Sequence, residues 1–221
     1  MGPEGPRLQV LYGGTFDPVH HGHVGVALHA REVLHADIAL MPAADPPHKG
    51  PTRASALQRA EMLRLAVADA PGLRVDLREL RRDGPSYTVD TLQGLRREVG
   101  PGAPWAILVG ADSFRTLDTW HRWPELFDLS HIVVAGRTGA AGAESPREGL
   151  ASAVEAAAAA RWADDPAALV RQPSGLVFAL QQPLFPQSAS EMRRRIAAGE
   201  PWQDWVAPSV AEYIARHGLY R

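Results

Sequence analysis

The chain has 221 residues, 45% of them hydrophobic, which suits a sizeable buried core and a single domain over residues 1–221. A formal charge of −2 supplies no general basic field and excludes sequence-independent nucleic-acid binding as the main activity. The absence of cysteine excludes a disulfide framework, a thiolate zinc site and a cysteine nucleophile, and no stretch approaches the roughly 20 apolar residues that span a bilayer. No membrane association is expected, and the cytoplasm is the expected compartment.

Residues 1–7, with two prolines and two glycines, read as a mobile tail. Short apolar runs at residues 8–12, 38–41, 73–75, 105–109, 132–135 and 177–180 have strand length, with helix-like segments between them. Val24, Ala27, Leu28, Val33 and Leu34 follow helical spacing after the first run. Ser55 and Gln58 fit a capping box for a helix through residue 68, and Ser86 fits a cap for residues 87–99. This alternation predicts an α/β fold: a Rossmann-like, doubly wound, mainly parallel sheet with helices on both faces, ligands sitting at the carboxyl ends of its strands. Between residues 138 and 173 the composition shifts to a glycine-containing loop and an alanine-rich stretch at 151–163, read as a helix in a peripheral insertion.

The first strand runs into Gly13-Gly14-Thr15-Phe16-Asp17-Pro18-Val19-His20-His21-Gly22-His23. Two glycines let the main chain approach a ligand closely, and a helix start offers free N–H groups to phosphate. His20 and His23, three apart, can face the same way on a first turn, and Gly22 removes a side chain that would block a phosphate. A plain turn with exposed histidines is the alternative; zinc lacks a third ligand motif. Neither Walker A nor Gly-x-Gly-x-x-Gly is present, which removes the main support for a P-loop hydrolase or a dinucleotide-binding dehydrogenase.

This string resembles the signature of the adenylyltransferases of the His-x-Gly-His superfamily, and specifically of the bacterial nicotinate-mononucleotide adenylyltransferases. The resemblance implies a Rossmann-like fold, ATP and Mg²⁺ as reactants, and His20 and His23 as catalytic groups on the phosphates. Gly13, Gly14, Thr15, Phe16 and Gly22 would then line the ATP site.

Near the C-terminus, Ser188-Ala189-Ser190-Glu191-Met192-Arg193-Arg194-Arg195 reads as a helix start, Ser188 and Glu191 fitting a second capping box. Arg193 lies where a guanidinium can meet phosphate oxygens, whereas a solvated basic face accounts for the rest of the run. The stretch resembles the family's second signature, with Ser188, Ser190 and Arg193 in matching places, Gln187 in place of isoleucine and Ser190 in place of threonine. The resemblance implies binding of the departing pyrophosphate.

Three further loops lie where such a sheet exposes its ligands. Lys49, after Pro46-Pro47-His48, can hold an acceptor phosphate; Trp120 can stack on a pyridine ring whose carboxylate meets main-chain donors or Thr88. Loop rigidity, helix capping and core filling are the plainer alternatives. In order and spacing they resemble the Pro-Pro-His-Lys, Ser-Tyr-Thr and Thr-Trp elements of the same enzymes, implying substrate contacts from His48, Ser86, Tyr87, Thr88 and Trp120 and a catalytic Lys49. Ala43-Ala44 departs from relatives that carry asparagine there. Gly110 and Asp112 resemble the adenosine-site element Gly-x-Asp-Ser, although Asp112 also suits a helix cap; Arg137 matches an arginine beside the adenine. Glu79-Leu80-Arg81 and Gly218-Leu219-Tyr220 extend the match over nearly the whole chain from Gln9 outside the alanine-rich region.

The expected reaction is direct attack of nicotinate mononucleotide on the α-phosphorus of ATP, with charge stabilisation and alignment in place of a general base. Pantetheine-phosphate adenylyl transfer and a non-catalytic nucleotide sensor are the competing readings.

Overall fold

The computed structural model describes residues 7–44, 51–82, 84–137, 145–183 and 185–221. The tail at 1–6, the Pro46–Lys49 loop and the glycine-containing loop at 139–142 lie outside them, as does the Arg137 side chain. All six expected strands form: β1 (Gln9–Gly14), β2 (Asp37–Pro42), β3 (Leu73–Val75), β4 (Trp105–Gly110), β5 (His131–Arg137) and, after a short β6 (Trp162–Ala163), β7 (Val177–Gln182). The sheet order is β3-β2-β1-β4-β5-β7-β6. β1 pairs with β4 in parallel (Gln9 opposite Trp105), β4 with β5 (Ala106 opposite His131), β5 with β7 (Ile132 opposite Val177) and β6 with β7 (Trp162 opposite Val177).

The order reverses at β1 and β4. In open sheets of this kind, ligands bind outside the carboxyl ends of the strands at that reversal, which directs attention to the residues following Gly14 and Gly110. The expected Rossmann-like α/β class is therefore the observed one.

The chain forms two compact units. The first comprises Met1–Tyr12, His29–Ile38 and Tyr87–Leu184. Its strands are apolar on both faces, Ala106, Ile132, Val133, Val134 and Val177 being wholly inaccessible, as expected of parallel strands sandwiched between helices. On α3 (Thr88–Val99) the last-turn Arg96 donates to the carbonyls of Leu129 (2.7 Å), Ala103 (2.6 Å) and Pro173 (2.7 Å), which fixes the loops feeding β5, β4 and β7.

The cap of α3 differs from expectation. Tyr87 occupies the N-cap without a side-chain bond. Ser86 belongs to the other unit, where its hydroxyl accepts the Ala44 N–H at 3.0 Å; a competing main-chain donor captures the oxygen that would have capped the helix.

The alanine-rich stretch is helical only over α6 (Ser152–Ala158). Alanine propensity yields at β6 because Trp162 packs edge-on against Phe114 (5.9 Å) and the Val177 N–H donates to the Arg161 carbonyl at 2.8 Å. Tertiary burial of one aromatic ring outweighs a few tenths of a kcal/mol per residue of helix preference.

The second unit comprises Gly13–Leu28, Ala39–Ser86 and Phe185–Arg221. Here α2 (Ala56–Val67) starts in the expected capping box: the Gln58 N–H donates to Ser55 Oγ (3.2 Å) and the Ser55 N–H to Gln58 Oε1 (2.9 Å). α2 packs against α9 (Pro208–His217), and Met62, Leu63, Val210 and Ile214 are buried. Each fully buried aliphatic side chain contributes about 1.5–3 kcal/mol. α8 (Ala189–Ala198) starts at Ser188, whose hydroxyl accepts the Glu191 N–H at 3.2 Å. The expected reciprocal half is absent from the cap, since the Glu191 carboxylate pairs with Arg194 (2.8 Å) and Arg195 (3.0 Å).

Candidate active site

In the second unit the loop after β1 folds tightly. Phe16 adopts φ 50° and is 2% exposed, a left-handed conformation that few non-glycine residues take. Its ring turns back over Gly14, where a Cβ would lie 2.9 Å from Phe16 Cζ; only glycine leaves room for that ring. Phe16 also meets the His23 ring edge-on at 5.0 Å.

His20 and His23 come together as the sequence predicts, their ring centroids 3.7 Å apart and tilted by 30°. The His20 N–H donates to His23 Nδ1 at 3.2 Å. A main-chain N–H is always a donor, so Nδ1 carries no proton in this arrangement and the ring proton sits on Nε2. At Gly22 a Cβ would lie 3.0 Å from His20 Nδ1 and 3.3 Å from Phe185 Cβ, so its bareness also seats the His20 ring.

His20 is 6% exposed and its Nδ1 has no partner among the described residues. Burial, with a smaller effect of His21, pushes its pKa down to about 4, so the ring is neutral near pH 7. Because the unfolded chain binds this proton near pH 6.5 and the folded chain only near 4, folding stability rises with pH across that window and is fully present above it. By linkage the loss reaches about 2 kcal/mol at pH 5. Thermal unfolding of the chain at pH 7.5 and pH 5 should show that loss, and His20→Asn should shrink it; an unchanged pH dependence in the variant would contradict a neutral, buried His20.

The C-terminal segment reaches the same loop. Arg193 Nη1 donates to the Asp17 carbonyl at 2.6 Å, whereas Arg194 is taken by Glu191 and Glu200 (2.6 Å) and Arg195 by Glu191 and the Trp205 face at 4.3 Å. Of the three arginines, the one matching the signature is the one turned to the loop. Ser188 and Ser190 hydroxyls lie 3.4 Å apart at the start of α8.

Sequence reasoning missed the parts that hold this loop. The Asp17 carboxylate accepts the N–H groups of Arg53 (2.8 Å) and Ala54 (3.1 Å) and the Tyr220 hydroxyl (2.7 Å). Burial, then the bond to Asp17, raises the Tyr220 pKa far above its ordinary value, so the phenol stays a donor. Arg59 is wholly buried. The sign available in the sequence was an arginine at a helical position whose neighbours on the same side, Ala60, Leu63 and Val67, are apolar.

In the first unit Gly110 ends β4 and caps α4 (Ala111–Arg115) through its backbone. Asp112 is not the cap; its exposed carboxylate pairs with Arg115 at 2.9 Å. Thr88 opens α3, the Tyr87 ring stacks on His121 at 4.4 Å, and Trp120 is half-buried after a 3-10 turn. Arg137 ends β5. His48 and Lys49 fall outside the described residues.

Among the described residues no group of three or more His, Cys, Asp or Glu side chains is placed to hold a metal ion, and no helix is long and apolar enough to cross a membrane.

Residues 11–195 match the cytidylyltransferase-like family model. A probable nicotinate-nucleotide adenylyltransferase of Stenotrophomonas maltophilia is 50% identical over 219 residues, covering 97% of each chain. Another, of Marinobacter nauticus, is 43% identical over 96% of each. Among experimental structures, the Plasmodium falciparum nicotinic acid mononucleotide adenylyltransferase complexed with NaAD aligns over 97% of each chain with a TM-score of 0.68 at 15% identity, which extends the likeness to the fold. Nucleotidyltransferases of this kind generally use a divalent metal with ATP. With a fold, two joined signatures and full-length relatives in agreement, the chain belongs to the cytidylyltransferase-like family, on its nicotinate-nucleotide adenylyltransferase branch.

Proposed function

We propose that this protein transfers the adenylyl group of ATP to nicotinate mononucleotide, forming nicotinate adenine dinucleotide and pyrophosphate in NAD biosynthesis. The observation that carries the proposal is the Arg193–Asp17 bond, which joins the two phosphate-binding signatures beside the paired rings of His20 and His23. A phosphate oxygen of the mononucleotide attacks the α-phosphorus; the bond from that phosphorus to the β-bridging oxygen breaks, and pyrophosphate leaves with the electron pair. The nucleophile is already anionic near neutrality, so the protein's task is to align the reactants and to neutralise charge on the phosphates.

In this reading His23 Nε2–H and the main-chain donors around Gly13, Gly14, Thr15 and Phe16 face the triphosphate, and Gly22 gives it access. Ser188, Ser190 and Arg193 hold the departing pyrophosphate. His20, neutral and buried, backs His23. Lys49 and His48 take the acceptor phosphate. Trp120 stacks on the pyridine ring, with Ser86, Tyr87 and Thr88 beside it; Gly110, Asp112 and Arg137 bound the adenosine. Mg²⁺ would enter with ATP as part of the substrate and would supply charge neutralisation on its phosphates. The family model matches residues 11–195, which supports one nucleotidyltransferase domain, and the reaction's soluble substrates support a cytoplasmic setting.

The test is release of pyrophosphate from ATP and Mg²⁺ with each of four acceptor conditions: nicotinate mononucleotide, nicotinamide mononucleotide, phosphopantetheine and none. The expected outcome is a kcat/KM highest for nicotinate mononucleotide. Turnover of phosphopantetheine alone would reassign the acceptor, and no release with any of them would leave a nucleotide-binding sensor.

A further inference from the structure

Arg59 lies on α2 at 0% exposure, and its acceptors among the described residues are main-chain carbonyls. Nη1 donates to Thr15 (2.7 Å), Nη2 to Ala43 (2.7 Å) and Ala44 (3.2 Å), and Nε to Ala54 (3.4 Å). Burial lowers its pKa, opposed in smaller measure by Asp17. A buried guanidinium is costly unless its donors are used, and here one planar fork uses them on three separate stretches of chain. One stretch is the phosphate signature, the second is the base of the loop that leads to His48 and Lys49, and the third is the run into α2. The first two also touch directly, the Ala43 N–H donating to the Gly14 carbonyl at 2.9 Å.

Geometry turns these bonds into orientation. In a trans peptide the C=O of one residue and the N–H of the next point in opposite directions. With the Ala43 carbonyl on Arg59, the Ala44 N–H faces the other way and meets Ser86 Oγ. By the same rule the Thr15 carbonyl, drawn to Arg59, turns the Phe16 N–H to the opposite side of the phosphate loop. A single side chain thus sets the Thr15–Phe16 peptide plane and the Ala43–Ala44 peptide plane.

We propose that Arg59 is a positioning residue that couples the ATP-phosphate loop at Thr15 to the segment at Ala43 and Ala44 from which the acceptor-binding stretch departs, so that both substrates meet chain segments set in one fixed register. The inference rests on the adenylyl-transfer reading above and adds a residue that touches neither substrate. Lysine at this place keeps the charge but has a compact ammonium in place of a fork, and cannot serve carbonyls on three stretches at once.

The experiment measures KM for ATP, KM for nicotinate mononucleotide and kcat for the full chain and for Arg59→Lys, at a temperature where circular dichroism shows both folded. The expected result is a rise of both KM values by about tenfold or more. A residue that only stabilises the fold would lower the active fraction, and so the apparent kcat, with both KM values unchanged; that result overturns the inference, as does movement of one KM alone. A second arm uses Arg59→Ala with and without methylguanidinium at millimolar concentration. A fall of both KM values toward normal on addition supports coupling, and rescue of folding alone, or a chain unfolded in every condition, overturns it. Absence of pyrophosphate from the unaltered chain would sink the functional reading instead, whereas normal turnover of that chain beside an unchanged Arg59→Lys sinks this inference alone.

Discussion

His23→Ala is expected to lower kcat by at least about a hundredfold while the chain stays folded, the usual scale for losing one donor to a charged transition state. The expectation follows from the tautomer. With Nδ1 occupied by the His20 N–H at 3.2 Å, the imidazole presents Nε2–H as a neutral donor, and the methyl side chain of alanine presents nothing. The structural cost is small by comparison: the variant frees one main-chain N–H at a helix start, worth about 1 kcal/mol. His23→Gln carries an amide N–H near the position of Nε2 and should recover part of the loss, whereas His23→Asn, whose amide is nearer the position of Nδ1, should recover less. Steady-state kinetics with thermal melts on all three variants test the order. Near-normal turnover of His23→Ala would remove the histidine pair from the chemistry, and equal rescue by Asn and Gln would remove the tautomer argument.

The contrast between His23 and Arg59 shows what a sequence exposes. His20, Gly22 and His23 are legible because a short motif on a strand–loop–helix junction compresses several chemical requirements into four positions. Strands such as β2, β4 and β5 are legible because parallel strands buried on both faces must be apolar runs. The capping box at Ser55 is legible because its two bonds are local. By contrast, Arg59 binds main-chain carbonyls, which every residue possesses, so its partners at Thr15, Ala43 and Ala44 leave no trace in composition or spacing. Tyr220 meets Asp17 across 203 positions. Ser86 has the residue type of a helix cap but does not cap α3, because its hydroxyl accepts the N–H of Ala44, a long-range donor that local propensity does not register. The alanine helix ends early because Trp162 packs on Phe114 and Arg161 accepts a strand hydrogen bond from Val177, both long-range contacts. The structure also separated the three consecutive arginines, which look alike in sequence: two neutralise Glu191 and Glu200, and Arg193 turns to the loop.

Asp17→Ala should be the most destabilising single change in this loop. Asp17 is 5% exposed, and its carboxylate satisfies the N–H groups of Arg53 and Ala54 and the Tyr220 hydroxyl. Truncation leaves three donors without acceptors in a buried place, at about 1–3 kcal/mol each where no water enters. A net loss of roughly 3–5 kcal/mol corresponds to a fall in Tm of about 10 °C or more for a chain of this size. Tyr220→Phe removes one donor and keeps both main-chain bonds, so it should cost only about 1 kcal/mol. The double variant distinguishes a network from independent contacts. Once Asp17 is alanine, the Tyr220 hydroxyl has already lost this acceptor, so removing it should cost nothing further or recover part of the loss, a non-additive cycle. Activity adds a second measure: Arg193 anchors on the Asp17 carbonyl, so a loosened loop should raise KM for ATP in Asp17→Ala more than in Tyr220→Phe. Additive melting temperatures in the cycle, with ATP affinity untouched, would mean that the Asp17–Tyr220 bond is incidental to the loop that holds the histidines.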